Sequence, residues 1–317
     1  MMLAIAFLSG VIVIVVGADW FTDAAVWMAR RSGISQLIIG ATVVSLATTL
    51  PELSVSVYAA FDGHTQLAIG NAVGSAIANI GLILGGNALM GNRKVERHLF
   101  ITNGGFLLLG ALALFAFSWN QTLTRMEALV MLGIVGLFLL TSLYWARRSR
   151  AEHLATQEVA AAITSEENFI LPLVKFVTGT VMIVAGGRLL VTSGVTIAQV
   201  LGIPPLIVGL TMLSIGTSLP ELVTALAAAL KGHQDLSIGN LLGASFLNLT
   251  LVTGVSALVR PLPITSSNQQ FDFPIMVLLV FLLMVFGLSG RTISRREGGI
   301  LLGLYLVYIT LLLTVFT

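Results

Sequence analysis

The sequence contains no cysteine. Disulfides and thiolate metal sites are therefore excluded, and cysteine usage says nothing about compartment. Charge is also scarce. Only 9% of the 317 residues are charged, against about 25% in soluble domains. The net charge is +2, and the basic residues are scattered in short segments between apolar runs, which gives no nucleic-acid signal. No Ser–His pair and no His-based metal set falls inside those runs, so nothing supports an intramembrane hydrolase or any other enzyme, and no cofactor is expected.

What is abundant is apolar sequence: 56% hydrophobic residues and a mean hydropathy of +0.99. Long apolar stretches recur from end to end at about 3–29, 35–61, 67–90, 99–118, 126–146, 169–199, 205–230, 236–258, 273–290 and 298–316. They are continuous rather than alternating, which argues against a β-barrel and predicts an all-α integral membrane protein of ten transmembrane helices. Residues 3–18 have no basic segment before them, and Asp19 and Asp23 follow in place of a small-residue cleavage site, so they read as the first membrane helix.

With the N-terminus placed outside, twelve Lys and Arg fall in loops on one side and two, Arg125 and Arg260, on the other. The positive-inside rule makes the first side cytoplasmic, with both termini outside, in a plasma (inner) membrane. The one sizeable polar stretch, 147–168, joins the halves on the cytoplasmic side as a connector. This gives a first five-helix repeat at 1–146, a linker at 147–168 and a second repeat at 169–317. Oligomeric state is not legible.

The chain carries one stretch twice: GATVVSLATTLPEL at 40–53 and GLTMLSIGTSLPEL at 209–222. Glu52 and Glu221 each follow a proline in an apolar run, 169 positions apart. Residues 33–80 align with 202–249 without a gap, with 22 of 48 positions identical. Five crossings separate equivalent spans. The odd number makes the repeats inverted, an architecture whose binding sites lie near the bilayer midplane at the repeat interface.

The residues at the motif suit a hard cation. Pro51 lacks an N–H, so the carbonyl of Ala47 loses its helical partner; Pro220 does the same to Gly216. Broken helices are expected at both prolines. Beside them lie Thr48, Thr49, Thr217 and Ser218 and the two carboxylates, and calcium takes six to eight oxygens of these kinds. One such proline alone is more often a kink relieved by neighbouring hydroxyls. A charge at the bilayer centre costs at least about 2.5–3.5 kcal/mol, so an intramembrane carboxylate is functional by default. The duplication of both elements favours a site.

A second pair, GNAVGSAIAN at 70–79 and GNLLGASFLN at 239–248, holds GxxxG faces that read as helix packing. It ends in Asn79 and Asn248, each a neutral oxygen deep in an apolar span. His64 and His233 are repeat mates in loops without clustered acidic partners, and they read as surface residues. Asp19 and its mate Arg188 read as scaffold, Arg188 snorkelling outward.

These paired GTSLPE-like and GN-x-x-G-x-x-x-x-N segments, inverted within ten spans, resemble the α-repeats of the sodium/calcium exchangers, in the calcium/cation antiporter superfamily. The likeness covers nearly the whole chain and is greatest to compact prokaryotic members. It implies that Ser45, Thr48, Thr49, Glu52, Ser75 and Asn79, with Ser214, Thr217, Ser218, Glu221 and Asn248, hold the transported ions, Ca2+ and Na+. It also implies that the first span and its mate rock across the other helices. Some prokaryotic exchangers have Asp where this chain has Asn248, and Ser where it has Ala244.

The residues add a charge argument: two carboxylates carry −2, which one Ca2+ or two Na+ would neutralise. A Ca2+/H+ antiporter using the same glutamates is the alternative, and a passive cation channel a weaker one. The many neutral Thr, Ser and Asn oxygens favour sodium, and the absence of a filter-like sequence argues against the channel.

Overall fold

In a computed structural model of the chain, residues 2–91, 93–94, 96–155, 169–200, 214–290 and 292–315 are described. They are almost all helical. The helices are α1 (Met2–Ser32), α2 (Gln36–Phe61), α3 (Thr65–Leu89), α4 (Arg97–Phe117), α5 (Arg125–Ala155), α6 (Ile170–Val200), α7 (Ser214–Thr217), α8 (Leu219–Leu230), α9 (Gln234–Val259), α10 (Asn268–Ser289) and α11 (Arg295–Val315). Seven of them are long and apolar enough to cross a membrane: α1 to α5, α9 and α10. Leu129, Leu137, Leu140 and Tyr144 on α5 stand exposed, as side chains facing lipid do. The span expected at 205–230 lies partly outside the described residues. The polar stretch 147–168 begins as a continuation of α5 to Ala155, and the rest of it lies outside the described residues.

The chain forms two compact units, and each draws on both sequence halves: Met1–Thr48 with Thr141–Asn240, and Thr49–Leu140 with Leu241–Thr317. In the first unit α1 and α6 run antiparallel over their length. Gly186 faces the backbone of Gly10, Gly17 and Gly179 face each other, and Phe21 stacks on Phe176 at 4.7 Å. Small residues let the two backbones come this close. The Ala-rich face of α1 (Ala18, Ala25, Ala29) packs with Ile39, Val44, Ala228 and Leu236. A side chain at Gly40 would meet Leu236 O at 2.5 Å, and one at Gly239 would meet Leu37 O, so α2 and α9 touch backbone to backbone.

In the second unit Phe106, Phe138 and Phe246 form one aromatic cluster joining α4, α5 and α9. Gly81 and Gly85 of α3 lie against Tyr305 and Leu302 of α11. Two short antiparallel ladders tie the loops. β1 (Arg93–Lys94) pairs with β4 (Thr292–Ile293), and β2 (Thr122–Leu123) with β3 (Leu262–Pro263).

The two sequence copies fold alike locally. Gly63 and Gly232, 169 positions apart, both take positive φ, 92° and 82°, and their N–H groups bond back to Ala60 O and Ala229 O. Only glycine adopts such a conformation without strain. The packing expected of Gly70 is not found: it is exposed, and nothing among the described residues lies within 4 Å of where its side chain would be. Its mate Gly239 makes the close contact instead.

Candidate functional site

The helices that carry the motifs are irregular, but not where the prolines alone suggest. α2 is α-helical from Ser45 to Phe61, straight through Pro51, which corrects the expected break there. Proline's fixed φ is compatible with helix, and a single lost hydrogen bond does not unwind a helix held on both sides. The irregularity sits earlier, as a π-helical turn at Gly40–Val44. At the second copy the break is real: α7 ends at Thr217, Ser218 stands at the N-cap position with φ −86° and ψ 6° and no capping hydrogen bond from its side chain, and α8 starts with Pro220 and Glu221 in its first turn. Proline fits a first turn because the N–H there has no helical partner to lose. The carboxylate of Glu221 lies at the positive end of the α8 dipole.

Two further π turns begin at the two asparagines that the repeat singles out, Asn79–Leu84 in α3 and Asn248–Val252 in α9. Such one-turn π-bulges concentrate at functional sites. Both belong to the second unit, where the α3 segment before Asn79 packs against the Asn248–Val252 turn. Glu52, Thr49, Ser75, Asn79 and Asn248 of this unit are all fully buried. Asn71 fixes the Glu52 backbone within the same unit: its amide nitrogen donates to Glu52 O at 3.5 Å and to Ser56 Oγ at 3.0 Å.

The first unit holds Ser45, Thr48, Ser218 and Glu221, also buried, with Thr217 half-buried. Ser45 donates to Ala41 O at 2.8 Å. Thr48 Oγ1 donates to Ser45 O at 3.2 Å and to Asn240 Oδ1 at 3.3 Å. The Asn240 amide nitrogen donates to Thr224 Oγ1 at 2.9 Å, and Thr224 Oγ1 donates to Pro220 O at 2.7 Å. This chain of bonds links the Glu52-bearing helix α2 to the first turn of α8. Phe21, Thr180 and Ile183 of α1 and α6 line a small cleft with Thr48 and Pro220. Ser214 begins α7, but its side chain lies outside the described residues.

The polar atoms of these residues are unusual in their bonding. Among the described residues, the buried side-chain atoms with no hydrogen-bond partner are Glu52 Oε2, Ser75 Oγ, both amide atoms of Asn79 and of Asn248, Glu221 Oε2 and Ser256 Oγ. An orphaned buried donor or acceptor costs about 1–3 kcal/mol, so a native chain keeps few of them. Five of these six residues belong to the set expected from sequence. Sequence reasoning gave no role to Asn71, Asn240 or Thr224, because their work is to hold other groups and nothing in the pattern marks that. It did not identify Ser256 either.

Outside the spans, Lys231 follows α8 and pairs with α1: its Nζ lies 2.6 Å from Asp19 Oδ1 and 2.7 Å from Asp23 Oδ1. Burial pulls the Lys231 pKa down, but hydrogen bonds and charges from Asp19 and Asp23 outweigh it and leave the ammonium above its usual value. Asp19 is thus a scaffold residue held by Lys231, while Arg188 is exposed. His64 is exposed beside Asp62. No group of three or more His, Cys, Asp or Glu able to hold a metal occurs among the described residues.

The sequence profile of the sodium/calcium exchanger protein family matches residues 2–144 and 171–314. The sodium/calcium exchanger MaX1 of Methanosarcina acetivorans is 30% identical over 338 residues, covering 96% of this chain and 97% of that one. The inner membrane protein YrbG of Escherichia coli K12 is 34% identical over 319 residues, covering 98% and 97%. The sodium-calcium exchanger NCX_Mj, in a structure soaked with 10 mM Na+ and 10 mM Sr2+, superimposes with a TM-score of 0.85 at 29% identity over 98% of both chains. With helices that cross a membrane, paired glutamate motifs and likeness along nearly its full length, the chain belongs to the sodium/calcium exchanger protein family.

Proposed function

We propose that this antiporter exchanges Ca2+ for Na+ by alternating access, at a site to which both repeats contribute. Glu52 and Glu221 supply the charge. Thr48, Thr49, Ser75, Asn79, Thr217, Ser218 and Asn248 supply neutral oxygens, with Ser45 and Ser214 beside them. The observation that carries the reading is the pair Asn79 and Asn248. Each opens a π turn, is fully buried, and has both amide atoms without a partner among the described residues. A transported ion with its last waters would satisfy those atoms.

The mechanism follows from charge. The ionised site carries −2, and an uncompensated pair of carboxylates is costly in a membrane. One Ca2+ or two Na+ restores neutrality. If α1 and α6 move only when the site is neutral, each ion crosses in exchange for the other and neither leaks. The glycine contacts between α1 and α6 suit a pair that moves as one piece.

The ten-helix, inverted-repeat architecture belongs to the same proposal, with halves at 1–146 and 169–317 and both termini outside an inner membrane. The loop ladders support it. Residues 93–94 and 262–263 are equivalent at the 169 offset, and each pairs with a loop strand of the other half.

The test is calcium uptake into sodium-loaded proteoliposomes. Uptake is expected to need the outward sodium gradient and to continue when a protonophore collapses any pH gradient. Glu52→Gln and Glu221→Gln should each nearly abolish it while the protein remains folded in detergent, since a site of −1 cannot neutralise a divalent ion. Uptake driven equally well by a pH gradient without sodium would replace this reading with a Ca2+/H+ antiporter. Near-normal uptake by either folded glutamate variant would remove the site assignment.

A further inference from the structure

We propose that Ser256 is a further cation contact, a staging point on the path between the Asn248 site and the membrane face of the 260–267 loop. The inference rests on the ion-site reading above for the role of Asn248. Ser256 is set apart by its bonding. Its hydroxyl is fully buried and has no partner among the described residues. The other buried hydroxyls of α9 behave differently. Ser245, Thr250 and Thr253 each donate to the carbonyl four residues back, at 2.7, 2.6 and 2.6 Å. Ser256 instead shares the condition of Ser75, Asn79 and Asn248.

Helix geometry aligns it with Asn248. Eight residues of regular α-helix would turn Ser256 about 80° away from Asn248. The Asn248–Val252 π turn inserts one extra residue, which brings the two to within about 20° of the same face, about 11 Å apart along the axis. Gly254 packs against Leu132 and the Ala128 carbonyl of α5. Ser256, two positions on, points away from that contact.

The pattern is repeated in the other half. At the 169 offset Ser256 corresponds to Asn87, which is buried and follows the π turn at Asn79–Leu84 by the same spacing. Gly85 faces α11 as Gly254 faces α5. A duplicated polar side chain, two turns beyond a duplicated asparagine, suits a path that continues in both directions from the site.

One neutral hydroxyl cannot replace a hydration shell. Its ligand is therefore a hard cation that keeps most of its waters, Na+ or Ca2+ in transit, and the oxygen substitutes for one water. The competing occupant is a fixed structural water.

The absence of cysteine allows a direct test on the full-length chain in proteoliposomes. Ser256→Cys creates the only thiol. It should keep a reduced but measurable calcium transport, because a thiol is a weaker ligand for a hard cation than a hydroxyl, and should lose at least ten-fold of that rate on exposure to silver ion, a thiol-seeking monovalent cation. Wild type and Ser245→Cys should be unaffected. Calcium or sodium added before silver should slow the block, and the more protective ion identifies which one passes Ser256. An active Ser256→Cys that silver does not touch overturns the proposal. Ser256→Ala, tested in parallel, should lower the maximal rate several-fold; an unchanged rate also overturns it and leaves the hydroxyl as a water-binding group. The silver block reads access to calcium flux whatever ion drives it. A proton-driven wild type would thus sink the sodium reading and leave this one standing.

Discussion

Thr48 and Asn240, 192 positions apart, meet in a hydrogen bond of 3.3 Å, the threonine hydroxyl donating to the amide oxygen. The same hydroxyl reaches Ser45 O at 3.2 Å. Its one proton is therefore directed at protein acceptors, which leaves its lone pairs free to accept. Asn240 is in turn held by Thr224 through its amide nitrogen. Under the proposed ion site, Asn240 is a positioning residue, setting which end of the Thr48 hydroxyl would face the ion.

Asn240→Ala should raise the sodium concentration for half-maximal exchange about 3- to 10-fold, the equivalent of one modest buried hydrogen bond. Thr224→Val, which removes only the far end of the relay, should have a smaller effect of the same kind. The maximal rate should change less than the half-saturation value in both. A folded Asn240→Ala with wild-type sodium dependence would show that Thr48 needs no orientation or is no ligand.

Much of this was legible in the sequence, and the reasons differ by residue. Glu52 and Glu221 stand out because a carboxylate in an apolar run is expensive. Asn79 and Asn248 stand out because they hold equivalent positions of the repeat, each deep in an apolar run. Duplication made a weak local signal strong in each case. Pro51 misled, because proline marks where a helix can break and not where neighbouring contacts let it. The π turns at Gly40–Val44, Asn79–Leu84 and Asn248–Val252 were invisible, since a one-residue insertion into a helix has no composition of its own. Ser256 was missed for the same reason: without the π turn it falls on the wrong face. Lys231 was counted for topology, and its pairing with Asp19 and Asp23 needed the approach of α8 to α1.

The membrane orientation has its own check. Single cysteines at two exposed positions, His98 and Ser266, fall on opposite sides of the expected topology. In intact cells His98→Cys should be shielded from an impermeant thiol reagent, and Ser266→Cys should react. The reverse pattern would invert the orientation and leave the repeat relation between the halves standing.

His233 predicts an acid sensitivity. Burial, then the positive charges of Arg30 and Lys231, hold its pKa below the usual 6.5, with Asp23 acting in the opposite direction. The unfolded chain therefore binds this proton more readily than the folded one. Folded-state stability should be fully present above about pH 6.5 and should fall as pH drops through the lowered value. His233→Gln removes the titrating group. Melting in detergent at pH 7.5 and 5.5 should show a smaller acid-induced loss for the variant than for wild type. Equal losses would mean that His233 is not held neutral.

The last prediction concerns how much charge crosses per cycle. At the proposed site Glu52 and Glu221 would supply −2, and the positions that could add a ligand or a charge hold Ala244 and Asn248. Two sodium ions neutralise that site, and a third would sit in the membrane interior without a counter-charge, which is costly. Exchange of two Na+ for one Ca2+ moves no net charge. Calcium uptake by sodium-loaded vesicles should therefore be insensitive to a potassium diffusion potential. The double variant Ala244→Ser/Asn248→Asp adds one hydroxyl and one carboxylate to the same helix and would give the site −3, which three Na+ neutralise and one Ca2+ does not, so calcium uptake by the variant should fall well below that of wild type. Slowing of wild-type uptake by an inside-negative potential would show that the chain moves a third sodium ion without the extra carboxylate, and the charge argument for its stoichiometry would fail.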